Sequence, residues 1–144
     1  MRKNRELLTL LFELSKTIRC SQQDAICEDI TLQQFYILDL VAQKGRMRLS
    51  ELHKALAVEK STTTRLVEPL VKQLLIVREK SLEDARAVDL KLTDKGAGAH
   101  SAVWDGMSMF LESVEMKIPK AKRKDIYEAV KIFINALQDN CALK

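Results

Sequence analysis

Residues 84–96 read Asp84-Ala85-Arg86-Ala87-Val88-Asp89-Leu90-Lys91-Leu92-Thr93-Asp94-Lys95-Gly96, and this stretch decides the architecture. Val88, Leu90 and Leu92 alternate with Asp89 and Lys91, the two-residue period of a strand with one buried face. Upstream, Leu75-Ile76-Val77-Arg78 is apolar and β-branched and reads as a second strand. Lys80-Ser81-Leu82-Glu83-Asp84-Ala85-Arg86 between them is polar, the loop of an extended hairpin. Beside a basic helix, such a loop can carry Lys80 and Arg86 to a minor groove, where negative potential is concentrated.

The segment before the hairpin supplies that helix. Glu59-Lys60-Ser61-Thr62-Thr63-Thr64-Arg65-Leu66-Val67 opens a helix expected to reach about Leu74. At 100° per residue, Thr63, Leu66, Val67, Leu70 and Leu74 fall on one side and Ser61, Arg65, Glu68 and Lys72 on the other, flanked by Thr62 and Thr64. The exposed first half is small, hydroxylated and basic, a surface able to approach phosphates and base edges closely. The same Ser and Thr residues also have an ordinary capping role. Pro69 removes a hydrogen bond to the Arg65 carbonyl and is expected to kink the rod, leaving base reading to the first two turns.

Farther upstream, Thr31 with Gln34 three residues on is a capping box, and Phe35, Leu38 and Val41 or Ala42 then make a short helix that ends before Gly45. Arg46-Met47-Arg48-Leu49 is long enough only for a bridging strand. Ser50 reads as the N-cap of the next helix, with Glu51, Leu52, Ala55 and Leu56 behind it, ending near Ala57. The order is helix, helix, helix, hairpin.

The flanks are amphipathic. Leu7, Leu11, Leu14 and Ile18 form one stripe of a helix expected over 3–26; Val103, Met107, Phe110 and Val114 form a second, and Ile126, Val130, Phe133 and Leu137 a third after Pro119. Ile132, Ile134 and Ala136 widen the last face beyond a single stripe, so a second copy of the chain is the simplest cover for it. Trp104, Met107, Met109 and Met116 are expected to fill core, with a ligand pocket as the lesser reading.

Of the 144 residues, 47% are apolar and 31% charged, which fits one folded domain and excludes a disordered tail. Only four Gly and two Pro disfavour a turn-rich β-sandwich. No apolar run approaches a membrane span, and the N-terminus lacks the pattern of a secretion signal, so no membrane partner and a cytoplasmic location are expected. Three cysteines without a C-x-x-C pair, and His53 and His100 far apart, encode neither a disulfide framework nor a metal site, and no cofactor is expected. No nucleophile, base and orienter stand at a recognisable spacing, so an enzyme is not expected. The net charge of +4 lies entirely between Lys44 and Lys95, where twelve basic residues face eight acidic ones.

This order of elements resembles the winged helix-turn-helix regulators of the multiple-antibiotic-resistance regulator (MarR) family. The resemblance runs from Thr31 to Gly96 and rests on Leu32-x-x-Phe35-x-x-Leu38, Leu49-Ser50-Glu51-Leu52, Ser61-Thr62-Thr63-Thr64-Arg65-Leu66-Val67, and Asp84-Ala85-Arg86 running into Leu92-Thr93-Asp94-Lys95-Gly96. It implies a mainly α fold with a small β-hairpin, in which a winged helix-turn-helix lobe (31–97) is flanked by dimerisation helices (3–26 and 98–140) in one domain spanning 1–144. It further implies a homodimer on a pseudo-palindromic double-stranded DNA operator, acting as a transcriptional regulator, with repression the expected sign. The recognition helix, about 60–74, would present Lys60, Ser61, Thr62, Thr64 and Arg65 to the major groove. The wing, about 79–88, would bring Lys80 and Arg86 to the minor groove, with Asp84 orienting a neighbouring Arg. Leu7, Leu11, Leu14, Ile126, Val130, Phe133 and Leu137 would form the dimer interface. Release by a small aromatic or anionic effector is a further implication.

The chain departs from the family pattern at Leu74, where a Gly usually closes the recognition helix; a Leu is not expected to take a left-handed cap easily. Two alternatives stand beside the main reading: a winged-helix protein-interaction module that does not read DNA, and a regulator switched by cysteine oxidation. Cys20 has Arg19 beside it, a neighbour that lowers a thiol pKa, yet Cys20 and Cys27 are expected to be inert.

Overall fold

A computed structural model describes residues 2–25 and 30–142, and side-chain surroundings for 3–18 and 30–140. The elements are α1 (Arg2–Ala25), α2 (Leu32–Lys44), β1 (Met47–Arg48), α3 (Leu49–Leu56), α4 (Lys60–Lys72), β2 (Ile76–Lys80), β3 (Val88–Leu92), α5 (Asp94–Met116) and α6 (Lys120–Ala142). They fall into two compact units, Met1–Met107 and Ser108–Lys144. The fold is mainly helical with one small antiparallel sheet, the class the sequence predicts. The expectation of inert thiols at Cys20 and Cys27 concerns side chains outside the described set.

The core of the first unit is built around α2. Its Phe35, Ile37, Leu38 and Val41 are buried with Leu52 of α3, Val67 and Leu70 of α4, Ile76, Leu90 and Val103. Burying each such side chain fully contributes about 1.5–3 kcal/mol. The capping box at Thr31 forms as expected: Gln34 N–H donates to the Thr31 hydroxyl at 3.2 Å and Thr31 N–H to Gln34 Oε1 at 3.0 Å. Gly45 closes α2 at φ 70°, a conformation glycine takes without steric cost.

The sheet runs β1-β3-β2, so the short bridging segment makes a third strand beside the hairpin. Ile76 pairs with Leu92, Arg78 with Leu90 and Lys80 with Val88. Leu90 is buried and Leu92 partly so, but Val88 lies exposed near the free end of the hairpin. Asp89, expected to face solvent, is buried, because an Arg46 guanidinium nitrogen lies 3.6 Å from its carboxylate.

Three local expectations are corrected. Helix α3 begins at Leu49, with Arg48 rather than Ser50 at the N-cap. The Glu51 carboxylate reaches back to accept from Arg48 N–H at 3.2 Å, which satisfies an orphan donor two residues earlier than Ser50 would. That bond, with Lys44 Nζ at 3.3 Å, holds the Glu51 carboxyl below the usual glutamate range. The recognition helix ends at Lys72, not Leu74, and Leu74 does take the left-handed conformation, at φ 59°. Leu75 N–H donates to the Leu70 carbonyl at 2.8 Å and Leu74 N–H to Val71 at 3.0 Å, the paired bonds of a Schellman closure, while Leu70 and Leu75 are buried together. Leu74 itself is exposed, so it leaves the apolar face on which the helical wheel puts it.

Thr93, Lys95 and Gly96 hold that turn. The Thr93 hydroxyl donates to the Leu74 carbonyl at 2.5 Å, Lys95 Nζ to Gln73 at 2.8 Å, and Thr93 N–H to Leu75 at 3.1 Å. Gly96 N–H donates to Thr93 Oγ1 at 2.9 Å, so the same Thr caps α5. A Cβ on Gly96 would lie 1.9 Å from the Leu75 carbonyl oxygen. Only a glycine lets α5 start this close to the end of α4.

His53 and His100, far apart in the chain, both have defined partners. His53 Nδ1 lies 3.3 Å from the Thr63 hydroxyl, and His100 Nε2 lies 2.9 Å from Asp39 Oδ1. Gln43 fills the other Asp39 oxygen at 2.7 Å, and His100 stacks on Phe35 with centroids 5.5 Å apart. Of the residues expected to fill core, Met107 packs against it and Trp104 meets its edge, 6.4 Å from Phe35 between ring centroids, but Trp104, Met109 and Met116 are exposed, at 51%, 72% and 74%. Leu7, Leu8, Phe12, Leu14 and Ile18 of α1 are exposed, with Leu11 half-buried. In the second unit, Ile126, Val130, Ile132, Ile134 and Leu137 of α6 are exposed, with Phe133 half-buried.

Candidate nucleic-acid interface

Helix α4 starts with its hydroxyl-rich turn facing solvent. Thr63, Val67 and Leu70 anchor its inner face in the core, which leaves Lys60, Ser61, Thr64 and Arg65 exposed and Thr62 half-buried. The Thr64 hydroxyl donates to the Lys60 carbonyl at 3.1 Å, so its lone pairs remain available to a donor. Glu68, the acid on this side of the helix, is 3.2 Å from Arg78 of β2, which offsets its charge. Helix α4 continues three residues past Pro69.

The wing tip folds on itself. Asp84 Oδ1 accepts from Arg86 N–H at 3.0 Å, the Asp84 carbonyl from Ala87 N–H at 2.9 Å, and the Ala87 carbonyl from Ser81 N–H at 3.0 Å. Asp84 thus acts on Arg86 through the main chain, as an Asx turn, rather than by gripping a guanidinium. Lys80 and Arg86 are both exposed.

An open cleft of 570 Å³ separates α3, α4 and the wing. Lys60 and Thr64 line it from α4, Asp84 and Arg86 from the wing, and Ser50, His53 and Lys54 from α3. The structure therefore brings the wing-tip cation and the start of α4 to one surface. It adds Lys54, which sequence reading did not single out, and Ser50, which was read only as a helix cap. Their exposure follows from the α3 pattern, but only the tertiary fold turns them toward the wing.

The cations of this lobe are sorted in space. Lys44, Arg46, Arg48 and Arg78 are tied to Glu51, Glu79 and Asp89, Glu83, and Glu68 respectively. Lys54, Lys60, Arg65, Lys80 and Arg86 form no salt bridge among the described residues. Three of these, Lys54, Lys60 and Arg86, border the cleft. Lys72, Lys91 and Lys95 form no salt bridge among the described residues either, so it is part of the uncompensated positive charge that is presented beside the α4 hydroxyls, an arrangement that suits a polyanion. No group of three or more His, Cys, Asp or Glu side chains among the described residues is placed to hold a metal, and no helix there is long and apolar enough to cross a membrane.

The MarR family model matches residues 30–88, from the last residue before the capping box to the first residue of β3. Over these residues the chain is similar to the MarR family. The chain is 27% identical to the uncharacterized HTH-type transcriptional regulator YfiV of Bacillus subtilis (strain 168), over 77% of this chain and 69% of that one. Against the HTH-type transcriptional repressor MdtR of the same organism it is 30% identical, over 48% of this chain and 44% of that protein. The matches thus span about two thirds of one relative and under half of the other. The crystal structure of the PcaV transcriptional regulator of Streptomyces coelicolor with its natural ligand superposes at a TM-score of 0.78 and 16% identity, covering 89% of this chain and 91% of that one. Wild-type MarR of E. coli in its apo form superposes at 0.72 and 21% identity, over 90% and 94%. Those two likenesses carry the MarR fold, and the sequence relatives carry the regulator class.

Proposed function

We propose that this chain acts as a homodimer that binds a pseudo-palindromic DNA operator and represses transcription in the cytoplasm. Helix α4 enters the major groove with Lys60, Ser61, Thr62, Thr64 and Arg65, and the wing sets Lys80 and Arg86 at the minor groove. The observation that carries this reading is the shared surface of unpaired cations and hydroxyls formed by α4, the wing tip and Lys54. The lobe at 31–97 does the binding, and helices 3–26 and 98–140 do the pairing. Leu7, Leu11 and Leu14 of α1 and Ile126, Val130, Phe133 and Leu137 of α6 are the faces a second copy covers; most are exposed in the single chain. Repression follows the MdtR likeness. A small aromatic or anionic effector is proposed because PcaV is seen with its natural ligand and DNA binding by Bordetella bronchiseptica BpsR is regulated by 6-hydroxynicotinic acid.

The test is selection of bound sites from random duplexes by the purified protein at two salt concentrations. A pseudo-palindrome with half-sites about one helical turn apart is the expected result. Weak, salt-sensitive retention without sequence enrichment would sink it and leave a winged-helix interaction module.

A further inference from the structure

The side of the wing away from α4 carries a ladder of ion pairs. Arg46 and Arg48 stand two residues apart and so share one face of the chain as it enters and forms β1. Arg46 grips both strands one pair short of the end of the ladder, 2.8 Å from Glu79 on β2 and 3.6 Å from Asp89 on β3. Arg48 reaches the tip, 2.8 Å from Glu83. Arg48 is also the N-cap residue of α3, its N–H bonded to Glu51. One residue therefore fixes the start of the first helix of the helix-turn-helix and touches the far end of the wing.

The turn at the tip needs no help to form, because Ser81, Asp84 and Ala87 close it internally. What those bonds leave unset is the angle at which the loop and the last strand pair, Lys80–Val88, stand off the three-stranded sheet. Beyond Val88 and Lys80 the hairpin has no strand partner outside itself, and Arg48–Glu83 is the one side-chain salt bridge from the 81–87 loop to the body among the described residues. Glu83 is 84% exposed, so the pair is weak in absolute terms. Ser81 at the root of the loop is buried but residues 82–86 are all exposed, so packing does not set their direction and a small energy can bias it.

We propose that Glu83, through Arg48, is a positioning residue that holds the wing at the angle bringing Arg86 to the DNA alongside α4. This rests on the DNA-binding reading above. It also accounts for an acid on a surface that meets phosphates: Glu83 is turned toward β1, and its charge is spent on Arg48.

The test exploits sign. Glu83→Gln removes a negative charge near DNA and Arg48→Gln removes a positive one, so a mere field effect shifts affinity in opposite directions. Positioning makes both act alike. In each variant the amide order parameters of residues 82–86 fall in the free, full-length protein, and the penalty of Arg86→Ala on operator affinity shrinks by roughly threefold or more. The swapped pair, Arg48→Glu with Glu83→Arg, restores both. Order parameters unchanged in both single variants, or an Arg86→Ala penalty that is the same in every background, overturns the proposal. Absence of duplex binding by the wild type would instead overturn the DNA-binding reading, while the relaxation data on the free protein still decide the tether.

Discussion

At Arg86, an exposed guanidinium without a salt bridge among the described residues stands on a turn set by its own main chain and Asp84. Arg86→Ala is expected to weaken binding with little sequence bias and to flatten the plot of log affinity against log salt by about 0.9, the effect of one neutralised phosphate. Fluorescence anisotropy over a salt series reads it, and an unchanged slope would remove Arg86 from the interface. Thr62→Ala or Arg65→Ala is expected instead to change which bases are tolerated, by about 1–3 kcal/mol of discrimination where a direct base contact is lost. Two further residues report on the joint between recognition helix and hairpin. Leu74→Gly is expected to stabilise the protein by about 0.5–1 kcal/mol, since glycine takes φ 59° without the Cβ clash, less its larger unfolded-state entropy. Gly96→Ala is expected to cost about 2 kcal/mol or more, because its Cβ would meet the Leu75 carbonyl at 1.9 Å. Urea denaturation separates the two, and the opposite signs are the diagnostic.

Among the elements, α3 is the one whose start depends on pH. Its N-terminal donor at Arg48 is satisfied by the Glu51 carboxylate, whose pKa the Arg48 N–H and Lys44 lower. A depressed carboxyl pKa means that the stability it contributes is present above the unfolded value and lost as pH falls through the folded one. Wild type is therefore expected to lose more stability than Glu51→Gln as pH falls through and below the usual glutamate range, and parallel curves would deny Glu51 this role. The same helix shows where local pattern misleads. Ser50 is a good N-cap in isolation, but the chain turns at Arg48 because Met47 and Arg48 pair with β3, a long-range fact that no window around Ser50 contains. The hairpin and α4 were legible because period and composition agree there, down to the buried Thr63, Val67 and Leu70. Buried Asp89 was not, since its burial depends on Arg46, far away in the chain. Nor was the neighbourhood of Lys54 and Ser50 with the wing, which needs α3 and the hairpin docked on one core. The left-handed Leu74 was flagged as a departure but misjudged, because the bonds that hold it come from Thr93 and Lys95.

For the whole molecule, the largest unmet demand is the apolar surface of the terminal helices. Among the described residues, six large apolar side chains of α1 and six of α6, Tyr127 among them, stand exposed in the single chain, more than a soluble protein ordinarily leaves to water. Removal of everything after Lys124 is expected to abolish the dimer, read by sedimentation velocity, and a monodisperse dimer from that truncation would sink the interface. The sorting of cations described above also has a consequence for rates. With four basic residues neutralised in salt bridges and three of the unpaired ones, Lys54, Lys60 and Arg86, bordering the cleft, the winged lobe carries a net positive field on that side. Beyond contact distance, within a Debye length of about 8 Å in physiological salt, that field exerts a torque as well as a pull. A molecule tumbling toward a duplex is turned to face it before it arrives, so fewer collisions are wasted on the wrong side and encounter slows as salt rises.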